Sequence, residues 1–161
     1  MTIRHDYEVS SEGAVRHWAF PTARLENPHP VPTEPAAILS NTPGTQLTGV
    51  VLSVSADDTI AVIDTTSHMV YNMLVHNVLT YSTGVEATWG AINIGDPVYY
   101  DRSATMPTGV YLSTSPQDNT GTDNPLFGFV VPKNTDVDMP AYPKGGATAS
   151  TQTCGVMIIG G

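Results

Sequence analysis

Histidine, acidic and cysteine side chains are the groups in this chain best suited to chemistry, and their spacing decides what they could do. His68 and His76 are the nearest histidine pair. On an extended strand they stand about 26 Å apart, and on a helix more than two turns apart, so they cannot share an ion. His5, His17 and His29 recur at intervals of twelve, which matches no compact ligand pattern. The run Asp118-Asn119-Thr120-Gly121-Thr122-Asp123-Asn124 has the flavour of a calcium loop. It lacks the alternating acidic ladder and the closing bidentate glutamate of an EF-hand, and reads as a surface loop rich in Asx turns. Glu86, Asp96 and Asp101 offer carboxylates for acid-base work, but acidic residues at strand ends and turns are ordinary, and Asp96 and Asp101 read as turn residues.

Nucleophilic chemistry finds no more support. There is no Gly-x-Ser-x-Gly elbow, and nothing pairs Cys154 with a histidine. The cysteine lies in the apolar run "CGVMII" and reads as a small core residue. Lys144-Gly145-Gly146 has neither the spacing nor the strand-loop-helix setting of a phosphate-binding loop. The expectation is a protein with no catalytic residue, no cofactor and no metal site.

The elements around these residues are those of a β protein. Only 13% of the 161 residues are charged, against about 25% in ordinary soluble domains. Thr, Ser, Asn, Gly and Pro take their place, favouring turns and strands over helices. A net charge of −9 with lysine only at Lys133 and Lys144 excludes a nucleic-acid partner, because phosphate binding needs clustered cations. No apolar run approaches the length of a membrane span, and the first residues lack a secretory pattern, so a soluble protein made in a cytoplasm is expected.

Residues 1–46 differ from the rest. They hold six of the thirteen prolines, Pro21, Pro28, Pro30, Pro32, Pro35 and Pro43, which forbid a helix or a central strand. Polyproline-like extension would let residues 28–46 span roughly 50–60 Å. Val15, Trp18 and Phe20 form an apolar cluster with no adequate local partner, so the segment reads as an arm that docks on another surface through them.

From Leu47 onward, residues 47–161 read as a small β-barrel or β-sandwich. "LTGVVLSVS" and "TIAVIDT" flank a turn at Asp57-Asp58 and form a hairpin. "MVYNMLVHNVLTY" fits a helical face through Tyr71, Leu74, Val75, Val78 and Leu79. It also fits strand parity through Met69, Tyr71, Met73, Val75, Leu79 and Tyr81, and the all-β surroundings favour the strand. "PVYYD", "VYLSTS", "LFGFVVP" and "CGVMIIGG" follow as further strands between turn signals. In the corner "NIGDPVYYD", Gly95 supplies the turn, Asp96 caps it, Pro97 opens a strand, and Val98 and Tyr100 share one side.

The order "GVEATWGAINIGDPVYYD", then "NPLFGFVV", then "GVMIIGG" resembles the small β-barrel head decoration (capsid cement) proteins of tailed phages. The likeness covers residues 84–161 and, more loosely, 47–83; the loop "SPQDNTGTDNP" is longer than in many members, and residues 1–46 have no counterpart in the simplest ones. It implies a non-enzymatic virion protein on the outer surface of the expanded capsid. Its partners would be the major capsid protein and neighbouring copies in a homotrimer, with no nucleic acid and no membrane. A glycan-binding tail or fibre module is the competing expectation, carried by polar loops with scattered Tyr and Trp, and a small polysaccharide-cleaving enzyme is a third.

Overall fold

In a computed structural model, residues 15–82, 85–88, 92–132 and 151–159 are described. Eleven strands run along them: β1 (His17–Pro21), β2 (Pro35–Ala37), β3 (Thr48–Val54), β4 (Ile60–Asp64), β5 (Val70–His76), β6 (Val78–Ser82), β7 (Val85–Thr88), β8 (Pro97–Tyr100), β9 (Leu112–Ser113), β10 (Leu126–Val131) and β11 (Thr151–Ile158). The all-β expectation holds. A single 3-10 turn, Thr22–Arg24, is the one helical piece among the described residues.

The strands form three groups. An antiparallel sheet has the order β1-β4-β3-β2; a closed barrel runs β10-β11-β5-β9-β8 and back to β10; β6 and β7 make a separate ribbon. The barrel is antiparallel except where β5 and β9 run side by side. Its interior is the main core, built from Met73, Val75, Val98, Tyr100, Leu112, Phe127, Val130, Cys154, Val156 and Ile158. These follow strand alternation: in β8, Val98 and Tyr100 are buried while Pro97 faces outward. Residues 70–82 are strand rather than helix, broken at Asn77. Cys154 is wholly buried in this core, as its apolar neighbours imply.

The sheet has two working faces. Ala37 and Val50 belong to the barrel core, while their neighbours Ala36 and Val51 join Leu25, Ala61 and Ile63 in a second cluster. Consecutive residues of β2 and β3 thus feed opposite cores, and Thr48 to Val51 are all buried.

The second cluster is closed by the segment before residue 47. β1 pairs with β4, setting Trp18 opposite Ile63 and Phe20 opposite Ala61. Leu25 then crosses the sheet and bridges to Ile38, while Val51 exchanges backbone hydrogen bonds with Thr33 and Glu34. The partner that Phe20 lacks locally is supplied from more than forty residues away in sequence. Pro35 opens β2 at the sheet edge, where a missing N–H costs no ladder bond. Residues 1–14 of the expected arm lie outside the described residues.

The hairpin between β3 and β4 forms as read. Its turn has Asp58 at φ +57°, and Asp57 accepts from the Ser55 and Thr59 hydroxyls at 2.7 and 2.8 Å. Those bonds hold the Asp57 carboxyl below its usual pKa.

Close backbone approach explains one glycine. A Cβ on Gly128 would sit 2.2 Å from the Met157 carbonyl oxygen, where β10 meets β11. Gly128→Ala is expected to lower stability by about 1–3 kcal/mol through forced strand separation. Urea unfolding of the two proteins checks this; an unchanged midpoint would show that the strands part without cost.

Candidate functional site

Two buried carboxylates organise the polar side of the molecule. Asp64 ends β4 and is 2% exposed. It accepts from the Thr66 N–H at 2.9 Å and from the Tyr71 hydroxyl of β5, and lies 3.7 Å from His17 Nε2. The bond to Tyr71 fastens the sheet to the barrel. Next to it, the Trp18 indole N–H donates to Thr65 Oγ1 at 2.9 Å, and the Thr65 N–H donates to the Arg16 carbonyl. Trp18 is thereby held in place while 47% exposed.

Asp101 follows β8 and is fully buried. Its carboxylate accepts from the Tyr81 hydroxyl (2.8 Å), the Ser103 N–H and hydroxyl (2.9 and 2.6 Å) and the Ser113 hydroxyl (2.7 Å). The Ser103 hydroxyl oxygen also accepts from the Asn119 N–H, so the polar loop is tied to the same point. Asp101 bonds as a turn residue through the Ser103 N–H and hydroxyl two positions on, and it also takes the Tyr81 hydroxyl from a ribbon strand and the Ser113 hydroxyl from a barrel strand, which only the fold brings to it. Asp96 behaves as read, accepting from the Asn93 N–H at 2.7 Å beside Gly95 at φ +96°.

Burial and the neighbouring carboxylates raise the pKa of Tyr71 and Tyr81 above the ordinary tyrosine range. Burial does the same for Tyr100 in the barrel core.

The loop from Ser115 to Asn124 satisfies itself. Burial opposes ionisation of Asp118, yet hydrogen bonds from the Thr120 hydroxyl and the Thr122, Thr120 and Gly121 backbone hold its carboxyl below the usual value. Asn124 donates to the Ser115 carbonyl and Gln117 to Asp123. This is the Asx-turn loop expected from sequence.

Other candidates are kept apart. Asp96 and Asp101 stand at opposite ends of β8, about 16 Å apart along an extended strand, so they do not flank one bond as a hydrolytic pair would. The side chain of Glu86 lies outside the described residues, although its backbone in β7 pairs with Tyr81. His68 is exposed with φ +69°, while His76 is buried with Nδ1 2.8 Å from Thr151 Oγ1. Among the described residues, no three His, Cys, Asp or Glu side chains converge as a metal site. Of the expected anchors, Trp18 is half-exposed, whereas Val15 and Phe20 are partly buried, Phe20 against the second cluster.

Sequence reasoning missed a cleft of about 140 Å³ beside the barrel, lined by Glu26, Gln46, Tyr100, Arg102, Asp118 and Asp123 among others. Arg102 crosses its wall, donating to the Glu26 carboxylate at 2.8 Å and to the Glu26 carbonyl. The signal was available in part: Tyr100 sits at a core-facing position, and a phenol there needs a partner for its hydroxyl.

The fold and its fasteners define an all-β protein with one barrel and one appended sheet. Compared with known proteins, the chain matches no family model, no curated sequence and no solved structure.

Two outcomes follow from the carboxylate fasteners. Asp101→Ala strands buried donors of Tyr81, Ser103 and Ser113 and is expected to cost about 3–5 kcal/mol, read by urea unfolding. A loss under 1 kcal/mol would mean the donors find water instead. Alkaline titration gives the second. Tyrosines with raised folded-state pKa contribute stability that is intact below about pH 10, where the unfolded chain keeps its phenols protonated, and is lost as pH rises further. Thermal melts should fall above pH 10, and Tyr71→Phe with Tyr81→Phe should flatten that fall.

Proposed function

We propose that the chain is a structural virion protein, a phage capsid decoration or cement protein that binds the outer surface of the expanded head and clamps adjacent major capsid subunits without catalysis. The observation that carries this reading is Trp18: a large aromatic side chain, half-exposed, fixed by a hydrogen bond on the edge strand β1. A pre-ordered aromatic on a strand that ends the sheet among the described residues loses little entropy on docking and suits an interface anchor. The edge itself offers a row of backbone groups to a partner strand.

Two further points support it. The "GDPVYYD" corner, which carries the likeness to decoration proteins, folds into the turn and barrel strand that the likeness implies. Low charge of one prevailing sign suits a protein crowded with its own copies on a shell, by discouraging adventitious self-association. Neighbouring copies are proposed to meet as trimers, with the major capsid protein beneath them.

Removing residues 1–46 would also remove β1 and β2, so a single substitution gives the cleaner test. Trp18→Ala is expected to leave the fold intact and weaken attachment to expanded, undecorated heads by about tenfold or more, measured by co-sedimentation. Equal attachment would remove Trp18 as the anchor. Electron microscopy of particles lacking the protein tests the whole reading: outer protrusions should vanish from an intact shell. An unaltered head with density missing from the tail, or specific capture by a glycan array, would overturn it.

A further inference from the structure

The cleft beside the barrel holds two polar atoms that the fold leaves unsatisfied. The Tyr100 hydroxyl and Gln46 Oε1 are both buried and have no hydrogen-bond partner among the described residues. The Tyr100 side chain is 2% exposed and lines the cleft, as does Gln46. Arg102 and Glu26 on the same wall are among the charges acting on that hydroxyl. A buried polar atom left unpaired forfeits its hydration with nothing in return, so two in one cleft mark a place built to be filled.

The lining says with what. Glu26, Asp118 and Asp123 against Arg102 leave an excess of negative charge, and Arg102 is already engaged by Glu26. Anions are therefore disfavoured. A bare divalent ion finds no convergent set of three acidic or histidine ligands among the described residues. A sugar ring needs an open aromatic face, but Tyr100 is stacked on Tyr111 at 5.9 Å between ring centres and buried in the core. What remains is a compact organic cation with several N–H donors and no acceptor. A primary ammonium brings three donors on a slim alkyl stem, meeting a phenol oxygen, an amide oxygen and a carboxylate.

We propose that this cleft is a binding site for a primary alkylammonium group, held by Tyr100, Gln46 and Asp123. The group can come from a lysine side chain of another protein or from a free amine, and the site stands independently of the capsid reading.

The test follows backbone amide signals of the full chain by NMR at low ionic strength. Two probes are titrated, Nα-acetyl-lysine N-methylamide and 1,4-diaminobutane. At least one should give saturable shifts at Gln46, Arg102 and Asp123 to Asn124, with millimolar affinity. The tighter probe assigns the source as protein lysine or free amine. Tyr100→Phe should weaken binding by about tenfold while keeping a folded spectrum. Asp123→Asn, at the cleft rim, should do the same should Tyr100→Phe prove unstable. The idea is overturned if neither probe saturates, if the norleucine analogue binds as well as the lysine one, or if calcium chloride or a methyl glucoside saturates the same amides instead. Undiminished binding in both variants would overturn it equally.

Discussion

The fold hangs on a short wall of chain that is covered on both sides. In β2 and β3, adjacent residues point into different cores: Ala37 and Val50 into the barrel, Ala36 and Val51 into the second cluster. A strand with two buried faces cannot carry the usual alternation of apolar and polar residues, and β3 carries none until Leu52. Alanine in β2 keeps the wall thin enough for both layers to approach. Gly49 serves the sheet itself, letting β3 lie close against β4, since a Cβ there would meet the Asp64 carbonyl at 2.4 Å. The barrel on one side and the N-terminal segment on the other both depend on this wall keeping its register.

Polar fastening complements that packing. With so few charged residues, the chain places two carboxylates in its interior and supplies each with hydroxyl and backbone N–H donors. Asp64 joins sheet to barrel through Tyr71, and Asp101 joins barrel, ribbon and loop through Tyr81, Ser113 and Ser103. A buried carboxylate is tolerated only when its lone pairs are satisfied, so each one selects a single arrangement of the elements that supply its donors. The same logic gives the unsatisfied atoms of the cleft their significance.

Local features were legible in the sequence. The Asp57-Asp58 turn, the "GDPVYY" corner and the alternation of β8 follow from residue type and period alone, because each is decided by neighbours a few positions away. Phe20 and Trp18 were legible as apolar side chains in need of cover, but that β4 receives them was not. The pairing of His17 with Asp64 spans more than forty residues, and no period announces it. Asp101 was legible as a turn residue, and it does bond Ser103 two positions on, but the distant Tyr81 and Ser113 hydroxyls that close around it were not legible. The cleft depends on Glu26, Gln46, Arg102 and Asp123 converging from four stretches of chain, which spacing cannot reveal.

The barrel closes through Leu112 and Ser113 alone, which bond to β5 on one side and β8 on the other. Every other barrel seam is longer, so this two-residue clasp is where the cylinder holds itself shut with the fewest backbone bonds. Its parallel partner in β5 lies some forty residues back along the chain, while β8 lies close by in sequence. The cylinder should therefore open most readily at that clasp, parting there into a curled sheet before any longer seam gives way.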